Sequence, residues 1–159
     1  MSAKKAPLRI TVAAVGRLRR SPEHDLVETY RQRLLWPVTI REVEERGALP
    51  AAERQRREAS RLLDAVPDGA VLIALDERGK TPTSTAFAER LRHWLETGRR
   101  DLAFLIGGAD GLDRSVTEKA DLTLGLGPMT WPHMLVRVML LEQLYRAQQI
   151  LAGHPYHRE

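Results

Sequence analysis

The chain has 159 residues, of which 43% are hydrophobic and 29% charged, with no cysteine and a formal net charge of +4. This is the composition of one globular domain and excludes a disordered or fibrous chain. The lack of cysteine excludes disulfides, a thiolate metal site and a Cys nucleophile, and fits a reducing, cytoplasmic setting. The longest apolar runs, Val71–Leu75 and Val138–Leu141, are too short to span a bilayer. Met1–Pro7 lacks the apolar stretch of a signal peptide. The modest basic excess fits an anionic partner or a mixed solvated surface.

In chain order, Leu8–Val15 reads as a strand stopped by Gly16. Ser21 and Pro22 open a helix, with Glu23 and Asp25 favourable to its dipole. Leu26, Tyr30 and Leu34 form its apolar stripe, and Pro37 ends it. Val38–Val43 is a second strand. Pro50–Val66 is an arginine-dense helix with Leu62, Leu63 and Val66 pointing inward. Ala70–Leu75 is apolar throughout, as a strand covered on both faces should be.

The second half repeats the pattern. Phe87, Leu91, Trp94 and Leu95 form a helical stripe closed by Gly98. Leu102–Ile106 is a buried strand leading into the glycine-rich stretch Gly107–Gly111. A short helix follows, with Ser115 and Glu118 at capping-box spacing. Leu122–Leu124 is a short strand, Gly125–Met129 a loop, and a last helix runs from about Pro132 to Leu151. The alternation predicts one α/β domain over 1–159, a mostly parallel sheet sandwiched by helices. Ligands of such sheets bind beyond the carboxyl ends of the strands. Here those ends carry Asp76–Lys80, Gly107–Gly111 and Gly125–Met129. The last helix, from Met134 to Tyr145, has almost no polar face. Such a helix must be covered all round, by a monomer's core or by a second subunit, and a homodimer is the expectation. Arg137 and Glu142 are its anomalies; Glu142 can pair with Arg146 one turn on.

Three stretches bear on chemistry. Ala74–Thr81 fits a relaxed P-loop pattern, but Asp76 and Glu77 would place two negative charges inside a phosphate cradle. A charged strand-to-helix turn is the preferred reading. Gly107–Gly111 lacks the spacing of the dinucleotide fingerprint, and it is a tight turn or a ligand loop. Gly125 and Gly127, before Pro128, leave the same choice. The tail concentrates His154, Tyr156, His157 and Arg158 in six residues. Termini are often frayed, yet these side chains are those an RNA site needs for stacking, phosphate pairing and proton transfer. His154 and His157 have no third metal ligand nearby, and no metal is expected.

Together these stretches resemble the SPOUT (α/β-knot) family of bacterial methyltransferases that act on N3 of a pseudouridine in 23S ribosomal RNA. The resemblance rests on Leu75–Lys80, Leu105–Gly111, Met129–His133, Leu135–Val138, Glu142–Ala147 and His154–Glu159. It covers nearly the whole chain and is weakest between Gly16 and Val66. The main departures are the extension Met1–Pro7 and Trp131, where the family often has a smaller apolar residue.

The resemblance implies a C-terminal trefoil knot, a homodimer and S-adenosylmethionine as cofactor. It puts the cofactor on Leu75, Gly107, Gly108 and the run Gly127, Pro128, Met129, Thr130, Trp131 and Pro132. It puts the substrate on the tail residues His154, Tyr156, His157 and Arg158, often against the partner subunit, with ribosomal RNA and the assembled ribosome as partners. A histidine of the tail, His154 or His157, is the favoured base for the N3 proton, with a water or the substrate's own acidity as the alternatives. Arg158 is expected to steady developing negative charge or hold a phosphate. Two other classes remain in play at this point: a P-loop nucleotide hydrolase and a non-enzymatic ribosome-associated RNA binder.

Overall fold

The computed structural model describes residues 6–158, so most of the Met1–Pro7 extension and Glu159 lie outside the described residues. Five strands form one sheet: β1 (Arg9–Val15), β2 (Val38–Val43), β3 (Val71–Lys80), β4 (Asp101–Ile106) and β5 (Leu122–Leu124). Their order is β2-β1-β4-β3-β5, and every pairing is parallel. Five helices cover it: α1 (Pro22–Arg33), α2 (Ala51–Asp64), α3 (Ser84–Glu96), α4 (Arg114–Lys119) and α5 (His133–Leu151).

The alternation of side chains along the central strands divides the core in two. Ile10, Val12, Ile73, Leu102, Phe104 and Ile106 pack beneath α1, α3 and α5. Ala13, Val15, Ala74 and Leu105 face the opposite way, against Ala59 and Leu62 of α2 and Val116 of α4. The smaller side chains on that second face suit its thinner cover. Among the described residues, no helix is long and apolar enough to cross a membrane.

Most sequence expectations hold to within a residue or two, and the exceptions have local causes. On α1 the buried position is Val27, whereas Leu26 is 45% exposed. The Ser21 side chain does accept the His24 N–H at 3.1 Å, so the start is right, and Tyr30 and Leu34 of the predicted stripe do pack on the core while Val27 takes the place of Leu26. On α4 the cap is Asp113, which accepts both the N–H and the hydroxyl of Ser115. Ser115 therefore lies inside the helix rather than capping it. Gly98 closes α3 as expected, with φ +82° and the Arg99 N–H returning to the Trp94 carbonyl.

The larger correction concerns Asp76–Lys80. It continues β3 instead of forming a free loop: the register with β5 slips after Leu75 and resumes where Lys80 meets Leu124. Gly79 makes this possible. A Cβ there would lie 2.6 Å from the Thr123 carbonyl oxygen, too close for any other residue. The Gly125 N–H then bonds the Lys80 carbonyl at 2.8 Å, so the chain leaving β5 runs directly against the end of β3.

α5 lies between α1 and α3. Leu140, Leu141, Leu144 and Ala147 are buried there. Arg137 is also buried, at 1% exposure. Its guanidinium pairs with Glu42 at 2.6 Å and donates to the Val15 and Gly16 carbonyls. The Leu18 N–H donates to the same carboxylate. Residues 135, 138 and 139 keep partial exposure, so one stretch of α5 remains uncovered in the single chain.

Candidate cofactor cavity and substrate tail

The carboxyl ends of β3, β4 and β5 open into one cavity of about 640 Å³, within the range of small-molecule sites. Of the predicted cofactor positions, Leu75, Gly107, Gly108, Gly127, Met129, Thr130, Trp131 and Pro132 line it. Pro128 is not on the wall. The three stretches converge although the first is strand rather than loop. Met129 and Trp131 are 70% and 42% exposed and stand at the mouth.

The wall is knitted by polar contacts between stretches. Thr130 donates to Glu77 at 3.0 Å, which ties the third stretch to the first. Gln55 of α2 donates to the Asp110 carbonyl, and Arg54 lies 3.7 Å from the Asp110 carboxylate. Arg78 folds back on Asp76 through its N–H and its guanidinium. Burial pushes the Asp76 carboxyl up, and these Arg78 bonds more than offset it, so the group stays below its usual value and is ionised. Asp76, Glu77 and Asp110 stand around bare glycine backbone, with Arg78 on the same wall offsetting Asp76, so the wall carries more acidic than basic side chains. This donor set fits a ligand that carries positive charge beside a planar, hydrogen-bonding body, as a sulfonium methyl donor does.

His133, at the start of α5, is a wall residue that sequence reasoning named only as part of a motif. Burial first, and the neighbouring Arg137 charge second, hold its imidazole below the usual value, so it is neutral at pH 7. The available signal was its place just after Trp131-Pro132, but nothing in the sequence separates a wall histidine from a helix-start histidine.

The P-loop reading fails on geometry. β3 runs through Asp76–Lys80, and Gly79 is packed against Thr123. The Arg78 N–H is taken by the Asp76 carboxylate at 2.8 Å, which puts a negative charge where a phosphate would have to sit.

The tail is folded back, though not onto the cavity. The His154 N–H bonds the Gln149 carbonyl, and its Nδ1 accepts the Tyr156 N–H. The Tyr156 hydroxyl donates to Glu142 at 3.2 Å, and its ring meets Tyr145 edge-on at 4.8 Å. Arg146 pairs with Glu142 at 2.6 Å, as its spacing predicted. It also stacks on Tyr156 at 4.9 Å and reaches His157 Nδ1 at 3.2 Å. Burial and then the Glu142 charge raise the Tyr156 phenol, which keeps it a donor. Arg158 is exposed. None of His154, Tyr156, His157 and Arg158 lines the cavity of its own chain.

A second groove of about 500 Å³ connects the two regions. Tyr30, Val138, Met139 and Glu142 line it, and Leu124, Leu126 and Gly127 line both it and the cavity. The segment after β5 is thus a shared partition between the cavity and the open face of α5.

Comparison with known proteins adds to this geometry. The profile of the family described as "Predicted SPOUT methyltransferase" matches residues 8–157. A protein of Rhodospirillum centenum named ribosomal RNA large subunit methyltransferase H is 60% identical, over 95% of this chain and 99% of that protein. Its namesake in Dinoroseobacter shibae is 54% identical, again over 95% of this chain and 99% of that protein. Among solved structures, a probable methylase family protein of Haemophilus influenzae superposes with a TM-score of 0.59. It covers 96% of this chain and 71% of that one at 10% identity, a likeness of fold alone.

Proposed function

This chain belongs to the SPOUT methyltransferase family, and from that premise we propose that it transfers the methyl group of S-adenosylmethionine to N3 of a pseudouridine in 23S ribosomal RNA, working as a cytoplasmic homodimer on the large subunit or the assembled ribosome. The observation that carries this reading is the convergence of Leu75, Gly107, Gly108 and Gly127–Pro132 on one cavity with acidic walls, in a chain 60% identical to a ribosomal RNA large subunit methyltransferase. The knot of the C-terminal half goes with the family.

When bound, the donor supplies an electrophilic methyl on a cationic sulfur. The chain's own part is positioning and proton handling. Gly107 and Gly108 lie on the ligand wall, where Gly107 packs against the Gly111 backbone with no room for a side chain. Asp76, Glu77 and Asp110 balance positive charge. Thr130, tied to Glu77, fixes the mouth. The N3 proton must leave before the ring nitrogen has a lone pair to offer, and a neutral imidazole is the group suited to take it.

The tail lies beside the open face of α5, and that face shares Leu124, Leu126 and Gly127 with the cavity wall. A second copy seated on this face brings His154, Tyr156, His157 and Arg158 of the partner subunit toward the cavity. Each site is then built from two chains, with the tail on the RNA side.

Deleting residues 154–159 tests this. Dimerisation and most of the stability should remain, because surface changes cost little. Donor binding should weaken only a few-fold, because its wall lies elsewhere. Methyl transfer to ribosomal particles should fall by about two orders of magnitude or more. Near-normal turnover of the truncated protein removes the tail from the site. A protein that binds RNA and leaves the methyl donor unbound is instead the non-enzymatic RNA binder.

A further inference from the structure

Glu58 is a buried acidic residue. It sits on α2 at 6% exposure, and its Oε1 is buried without a hydrogen-bond partner. A buried carboxyl oxygen left unpaired is costly and calls for a reason. The other oxygen, Oε2, lies 3.3 Å from the point a Cβ of Gly108 would occupy, and Gly108 is a wall residue of the cavity. Gly108 is thus a neighbour of both this carboxyl and the ligand space. Asp110 faces it from the glycine-rich stretch, Arg54 stands one turn earlier on α2, and Glu45 stands beyond β2. Arg54 is engaged with Asp110 and the Leu49 carbonyl, and Glu45 with Arg57 and Arg61. No cation is committed to Glu58.

We infer that Glu58 is a proton-coupled counter-charge for the methyl donor: positive charge entering the cavity draws the proton off its carboxyl, so the site favours the sulfonium donor over the neutral thioether product. The inference rests on the cofactor reading above. Burial first, then Asp110, raise the carboxyl above its ordinary value, so the free protein holds this proton to higher pH than an ordinary glutamate does. On binding, the carboxyl O–H breaks, the electron pair stays on oxygen and the proton passes to solvent. Each pKa unit that the bound cation removes from Glu58 makes the donor about tenfold tighter for the ionised than for the protonated form.

Calorimetry of the full-length protein in buffers of different ionisation enthalpy, between pH 5 and 7, counts the protons released. S-adenosylmethionine should release a fraction of a proton, about half of one at most for a shift of one pKa unit, largest between the free and bound values and falling off on either side, and its affinity should rise with pH across the window. S-adenosylhomocysteine should release clearly less. In Glu58→Gln the release should vanish, and the preference for donor over product should shrink by about tenfold, one pKa unit's worth. Wild-type binding without proton release overturns the inference, and so does an unchanged preference in a folded Glu58→Gln protein. Both results leave the cofactor reading standing. Failure of the wild type to bind the donor overturns both.

Discussion

Gly108 and Gly127 limit the cavity in opposite ways. A Cβ on Gly108 would lie 3.0 Å from Val15 Cγ1 as well as close to Glu58. A side chain there points into the interior, and the stretch relieves the contact only by moving into the ligand space. Gly108→Val should therefore abolish donor binding in calorimetry while costing about 1–3 kcal/mol of stability from overpacking. Unchanged affinity in a folded variant reduces the stretch to a turn. Gly127 has open space around it, but its φ is +109°, so a substitution there should strain the backbone by about 1–3 kcal/mol instead. Glu58 adds a pH signature of its own. Because its folded value is raised, the folded state holds the proton longer than the unfolded chain. Its contribution to stability is thus present below the ordinary glutamate value and is lost as pH rises through the folded value. Glu58→Gln should flatten that decline in denaturation curves.

α5 carries the next scale, because one buried arginine ties it to β1 and β2. Arg137 was legible as a charge out of place on an apolar helix. Its partner Glu42 was not, since the two lie 95 residues apart and only the sheet brings them together. Burial pushes the Glu42 carboxyl up, but bonds from Arg137 and the Leu18 N–H outweigh it and hold the group below its usual value. Being depressed, it contributes stability above the unfolded value that is lost as pH falls through the folded one. Arg137→Met should cost about 1–3 kcal/mol, because it leaves the Val15 and Gly16 carbonyls without their donor and Glu42 with the Leu18 N–H alone. It should also blunt the loss of stability on acidification below about pH 4.5, the ordinary range for Glu. The end of β3 shows why other features were hidden. Asp76–Lys80 is charged and holds a glycine, so locally it reads as a turn. Asp76–Gly79 do bulge out of the ladder, but Lys80 is pinned to Leu124, the same residue that pairs with Leu75, and no local pattern announces such pairing. The strands Val71–Leu75 and Leu102–Ile106 were plain because burial on both faces writes itself as an unbroken apolar run.

At the scale of the whole molecule, the sequence located the cavity through the glycines and prolines at the strand ends, which have local reasons to be there. The tail was legible as chemistry and not as position: its own chain holds it against Glu142, Tyr145 and Arg146. The proposed dimer reconciles the two. Light scattering should give a dimer at micromolar concentration, with an interface burying more than about 1,000 Å². Glutamates at Leu135 and Met139 should dissociate it and take methyl transfer with it; a fully active monomer contradicts the two-chain site. The most direct measurement is methyl transfer itself. Purified protein, labelled S-adenosylmethionine and ribosomal particles should place label in 23S RNA, and nucleoside digestion should recover it as N3-methylpseudouridine. Label on another nucleoside, or none in RNA from a protein that binds the donor, contradicts the account.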